Sequence, residues 1–194
     1  MARSNQRVHG RCYRASVTRG VVHEKKMIDQ TTGTVTIPGR SESISPDLTR
    51  SGFLSSALAG AASVCVKNEP WCSWDLPVAV ADGKKWYVRL QFHADLLTRV
   101  EVTVADPNER QSWSDWSREK ELDRKAQHDA LLSHDLGTPP YAFAWGKIFS
   151  VFDERSGGSS IIVDYKNKEM HNQPMHGTAC PPRVTRNVCA GHGT

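Results

Sequence analysis

A chain of 194 residues has room for one domain of ordinary size and little for a second independent core. Its formal charge of +4 belongs to the ends: residues 27–166 hold 15 basic and 19 acidic residues, a balance of −4, against +6 over residues 1–26 and +2 over 167–194. The part expected to fold is thus mildly acidic, which removes the main support for nucleic-acid binding by the folded domain.

Of five cysteines, Cys12, Cys180 and Cys189 lie in the polar ends, which argues against a disulfide framework and leaves Cys65 and Cys72 as small buried or half-buried apolar residues. No run approaches the roughly 20 apolar residues of a membrane span, and none near the start resembles a secretory signal. A soluble, cytoplasmic protein without membrane contact is expected.

Residues 1–26 are rich in Arg and Ser and carry no acid before Glu24, a composition shared with mitochondrial presequences, but they show no amphipathic helix. They read as a disordered basic leader or as sequence upstream of the true start. Residues 34–37 and 41–44 flank Pro38-Gly39 as a small edge hairpin. Ser45-Pro46-Asp47 has the make-up of a helix start, with Leu48, Phe53, Leu54, Ala57 and Leu58 as the buried side of a short helix that Gly60 ends. Residues 62–66 form a strand that leads through Asn68-Glu69-Pro70 into the longest alternating stretch of the chain.

In that stretch Trp74, Leu76, Val78 and Val80, then Trp86, Val88, Leu90 and Phe92, then Leu96, Val100, Val102 and Val104 recur at the period of strands with one buried face. All are even-numbered, so an antiparallel meander without bulges requires three-residue loops, at Asp82-Gly83-Lys84 and His93-Ala94-Asp95. On the outer face Arg89 and Glu101 fall within reach of a diagonal, exposed ion pair.

Residues 114–135 are charged and rich in helix formers, with an expected buried stripe of Trp116, Leu122, Ala126, Ala130 and Leu136, widened by Leu131 and Leu132. Ser112 or Ser114 is placed to cap this helix, Trp113 and Trp116 to anchor its first turn, and Gly137 before Pro139-Pro140 to end it. Two β-rich runs, 145–152 and 159–165, make a hairpin about Ser156-Gly157-Gly158, and this hairpin must rejoin the main sheet because a lone hairpin is marginal in water. Residues 167–194, with Pro174, Pro181 and Pro182, read as a disordered tail. The expected architecture is one α+β domain over residues 27–166: an antiparallel sheet of five or six strands, one long helix packed on its apolar face, and a short N-terminal helix.

Three motifs invite chemistry. Trp113-Ser114-Asp115-Trp116-Ser117 resembles the WSxWS box of class I cytokine receptors over those five residues alone; in that family the box sits in an extracellular β-sandwich, whereas here it opens a charged helix. His176, Cys180, Cys189 and His192 are metal-ligand types, but their central gap holds two prolines and lacks the close pairs of structural zinc sites, so no metal is expected. His128-Asp129 and His134-Asp135 place the two imidazoles about 240° apart on a helix, which excludes one shared site and suggests an exposed face.

No nucleophile elbow, phosphate loop or dinucleotide fingerprint is present, and no Lys or Arg adjoins Cys72 in sequence, so no cofactor is expected. Trp71 and Trp145 sit at strand ends beside turns and, with Asp153 and Arg155, are the candidate binding surface for another protein. The expectation is a non-catalytic protein-binding domain, by class-level analogy like the small acidic immunity proteins that neutralise toxins. An enzyme of unrecognised type using Asp153 or the His-Asp pairs, and a structural or assembly subunit, are the alternatives.

Overall fold

The computed structural model of the chain describes residues 26–108 and 113–166. The expected leader, the tail and its four metal-ligand residues, and Ser112 as a cap lie outside the described residues. In chain order the elements are β1 (Val35–Thr36), β2 (Ser43–Ile44), α1 (Arg50–Leu54), α2 (Ala57–Gly60), β3 (Ser63–Asn68), β4 (Trp71–Asp75), β5 (Ala79–Ala81), β6 (Lys84–His93) and β7 (Leu96–Ala105). A 3-10 turn (Trp113–Asp115) then precedes α3 (Arg118–Leu136), β8 (Tyr141–Ala142), β9 (Gly146–Asp153) and β10 (Gly158–Tyr165).

The α+β class stands, but the sheet is wider than the expected five or six strands. Eight strands form it, in the order β3-β4-β6-β7-β10-β9-β8, with β5 also paired to β6, while β1 and β2 make a separate two-stranded hairpin. The excess comes from β8, only two residues long, and from β5, which continues the line of β4 along β6 after an interruption. The C-terminal hairpin does rejoin the sheet, since β10 pairs with β7 from Ile161 opposite Val102 to Asp164 opposite Arg99. Because β10 is antiparallel to both neighbours, β7 and β9 run parallel, joined by α3 with β10 between them.

The alternation of β6 is realised in full: Trp86, Val88, Leu90 and Phe92 are all at most 4% exposed. Phe92 meets Phe53 of α1 at 5.7 Å and Trp74 of β4 at 5.6 Å, so the first half of the chain closes one end of the inner face with aromatic rings. Both expected three-residue loops are instead two residues long. Asp82 and Gly83 turn with φ of 52° and 66°, the conformation that suits a tight hairpin, and Ala94 does the same with φ of 52°.

Bulges restore the parity that these short turns break. Thr98 is the extra residue between Gln91 opposite Arg99 and Phe92 opposite Leu97, so Leu97 rather than Leu96 enters the core. On the other side, the Leu76 N–H still bonds the Val88 carbonyl at 2.8 Å, but Ala79 is already opposite Trp86. Pro77 and Val78 therefore both face Tyr87, the phase flips, and Val78 and Val80 are 47% and 64% exposed instead of buried.

The N-terminal helix is two short pieces. Ser45 closes a turn, accepting the Asp47 N–H at its hydroxyl, and Thr49 is the residue that caps α1 by accepting the Gly52 N–H. For α3 the cap is Ser117, whose hydroxyl accepts the Lys120 N–H, and Gly137 ends the helix as expected. Its stripe differs from expectation. Trp116 and Leu122 are 44% and 40% exposed, and the buried face consists of Glu121, Arg124, His128, Leu132 and Asp135.

This polar stripe is buried because the sheet presents unpaired backbone to it. Extending the β7–β10 register by two residues would set Ser159 opposite Val104, yet the ladder ends at Ile161 and Val102. Here His128 Nε2 accepts the Val104 N–H at 3.1 Å, and Glu121 Oε2 accepts the Ser159 N–H at 2.8 Å. The Ser159 hydroxyl donates to the Glu121 carbonyl at 2.5 Å, and Arg124 is paired with the Glu121 carboxylate. Backbone donors that would cost about 1–3 kcal/mol each if left buried and unmade are thus met by helix side chains. Near the other end of α3, Asp135 accepts the Met27 N–H at 3.2 Å and so holds the start of the described chain against the helix.

Candidate binding surface

The helix and the N-terminal segment cover the inner face; the outer face bears the odd-numbered residues of β6 and, from Arg99 onward, of β7, which carry an ordered set of polar pairs. Arg89 donates from Nε and Nη2 to the two oxygens of Asp75, at 2.6 and 3.0 Å, from directly across the β4–β6 ladder. Burial alone would lower the Arg89 pKa, but the hydrogen bonds and charge of Asp75, with smaller contributions from Cys65 and Glu101, keep it above its ordinary value.

Glu101 stands directly opposite Arg89 rather than diagonal to it, and it is 8% exposed rather than a solvated partner. Its oxygens accept from the Ser160 hydroxyl at 2.8 Å and from Gln91 Nε2 at 3.5 Å. Farther along the face Arg99 pairs with Asp164 at 3.1 Å.

A cleft of about 330 Å³ opens on this network, between Ala61 and Ser63 on one side and Tyr87 and Thr103 on the other, with Leu76, Pro77 and Val78 as its wall. The phase flip at Pro77 and Val78 makes that wall, by turning an apolar side chain outward where regular pairing would bury it. Asp75, Arg89 and Glu101 all line the cleft, so its floor carries two carboxylates against one guanidinium.

Large apolar side chains that are exposed are unevenly spread among the described residues. Leu54, Val64, Trp71, Val78 and Val80 account for five of the seven exposed large hydrophobic side chains, and all five belong to the segment from α1 to β5. Of these Val78 lines the cleft and Trp71 and Val80 share its face of the sheet, while Val64, opposite Trp74, lies on the inner side. Cys65, expected to be at least half-buried, is exposed at the bulge of β3, while Cys72 is buried with its thiol 3.3 Å from an Arg50 nitrogen.

The four residues expected to bind a partner do not meet. Trp71 is 41% exposed, and its ring meets the ring of His93 at 4.5 Å, tilted by 57°. Trp145 is structural: its Nε1 donates to the Gln30 carbonyl at 2.9 Å, and its ring stacks on Phe143 at 5.0 Å. Gly33, with φ of 76°, lies so close that a Cβ there would come within 2.5 Å of the Trp145 ring.

Asp153 and Arg155 occupy the β9–β10 turn, where Asp153 accepts the Arg155 N–H at 3.1 Å, at the end of the sheet opposite Trp71 and Trp145. Sequence reasoning missed Asp75 and Val78 and misjudged Glu101; the available signal was Pro77, which interrupts the alternation.

The two His-Asp pairs are also divided. His128 is fully buried, whereas Asp129 is exposed and His134 contacts its neighbour Asp135 at 3.0 Å. Burial pushes the His128 pKa down to about 4, and the nearby Arg124 charge acts in the same direction. Among the described residues no group of three or more His, Cys, Asp or Glu side chains is arranged to hold a metal ion. None of the described helices is long and apolar enough to cross a membrane. No family model, curated protein or solved structure matches the chain.

Proposed function

We propose that this chain is a non-catalytic protein-binding domain whose partner docks on the edge formed by β3, β4 and β5 and reaches into the outer cleft. One observation carries this: the outward-turned Val78, with the exposed Val80 two residues on, walls a cleft whose floor is lined by Asp75, Arg89 and Glu101. An apolar rim contributes contact area, and the ordered polar side chains of the floor give a docked partner its register. A small acidic immunity protein that neutralises a toxin is one form of such a domain. Asp153, the acid an enzymatic alternative would use, is engaged in its turn, and His128 is sealed beneath the helix.

The test is a photo-crosslinking amino acid placed in the full chain at Val78, at Val80, and at Lys125 on α3, in the native cell. A discrete partner adduct from Val78 and Val80 and none from Lys125 is expected. Equal yields from all three positions, or an adduct from Lys125 alone, would remove the edge as the docking site.

A further inference from the structure

The two edges of the large sheet are protected unequally. β3 has a bulge at Cys65 and a lysine at position 67, both of which discourage another strand from adding. At the opposite edge β8 covers β9 only at Lys147 and Ile148. Beyond them Phe149, Ser150, Val151 and Phe152 have β10 on one side and no described strand on the other. Those four residues contain no proline or charge and no bulge, and Phe149, Val151 and Phe152 are half-buried. Their outward N–H and C=O groups call for an extended backbone, not for a particular side chain.

We propose that this edge pairs with the same edge of a second copy of the chain, making a two-fold dimer with a continuous sheet. An antiparallel copy centred on Val151 pairs Ser150 with Phe152 without using Ile148, keeps outer face with outer face, and sets no like charges opposite one another from Phe149 to Phe152.

A second patch lies next to the edge on the same side of the molecule. Arg118 lies over the Phe152 ring at 5.7 Å, and Asp129 contacts Ser150, so this flank of α3 looks along β9. Leu122 is within about 40° of both on the helix. It is 40% exposed, although it lies on the side facing past the edge. In the two-fold arrangement both helices lie on one face of the joined sheet and the two Leu122 side chains approach the axis together. The edge lies across the sheet from the proposed docking site, so the dimer leaves that site open.

The experiment is sedimentation equilibrium of the full chain over a range of concentrations, with hydrogen exchange of the β9 amides. A mass near twice 21.6 kDa is expected, together with protection of the edge-facing amides of Ser150 and Phe152 that fades on dilution. Leu122→Lys and Val151→Lys should each weaken the dimer by about tenfold or more, and Val64→Lys on the other edge should not. Leu122→Lys changes an exposed helix position, so it remains informative if Val151→Lys fails to fold. A monomer at all concentrations, or a dimer indifferent to Leu122→Lys, overturns the proposal. Amides of Ser150 and Phe152 that stay protected in a monomer would show the edge covered from within the chain, and overturn it equally.

Discussion

His128 Nε2 accepts the backbone N–H of Val104 at 3.1 Å from a fully buried position, so a helix side chain takes the place that a β-strand carbonyl would hold. An acceptor must be unprotonated, which puts the proton of the neutral ring on Nδ1; that atom has no hydrogen-bond partner among the described residues. The helix is therefore joined to the sheet through a group whose charge state matters.

The first prediction concerns pH. The His128 pKa is lowered from its ordinary 6.5 to about 4 in the folded chain, so between these values the unfolded chain binds the extra proton. The stabilisation is fully present above pH 6.5 and is lost as pH falls toward 4, by about 3 kcal/mol in total. Urea denaturation across this range should show the loss, and His128→Leu should be less stable at pH 7 but much flatter in its pH dependence. An unchanged slope in the variant would assign the acid sensitivity to other groups.

Glu121 is the second point of attachment. Removing its carboxylate in Glu121→Ala leaves the Ser159 N–H and the Arg124 guanidinium buried without that partner, at a cost of about 3–5 kcal/mol. Lys125→Ala, which breaks a surface pair with Asp129, should cost no more than about 0.5 kcal/mol. Denaturant midpoints measured side by side decide this, and similar small shifts would mean that the polar stripe is not holding the helix.

A third prediction separates two tryptophans. Trp116 is 44% exposed and donates to the Gly157 carbonyl at 2.6 Å, so it ties the start of α3 to the β9–β10 turn without filling the core. Trp116→Ala should cost about 1 kcal/mol, the worth of that bond and its partial contact. Trp86 is 4% exposed, and Trp86→Ala should cost about 3–5 kcal/mol through the cavity it leaves. Equal losses on thermal unfolding would return Trp116 to the core.

What could be read from residues alone follows from these cases. β6 was legible because Trp86, Val88, Leu90 and Phe92 alternate without interruption, and the C-terminal hairpin because a glycine turn separates two β-rich runs. The bulges at Thr98 and at Pro77-Val78 were not, since one extra residue leaves no period behind and yet reverses every side chain beyond it. The stripe of α3 was misread because apolar residues were assumed to face inward. Glu121, Arg124, His128 and Asp135 share a face at helical spacing, but the splayed ladder beside Val104 and Ser159 and the Met27 N–H are what explain their burial. The cleft inherits this illegibility, because its wall is the residue pair that breaks phase.

The most direct measurement of the proposed binding role is a selection of displayed random peptides on the full chain, followed by calorimetry of a selected peptide. Selected sequences should carry apolar residues that cover Val78, beside a polar one that reaches the floor of the cleft. Their affinity should fall by about tenfold or more with Glu101→Gln, which removes the charge but keeps an acceptor for Ser160, and with Val78→Asp on the rim. Lys125→Glu, on the far side of the sheet, should leave it unchanged. Selection of sequences without apolar residues, or of binders indifferent to both cleft variants, would contradict the account.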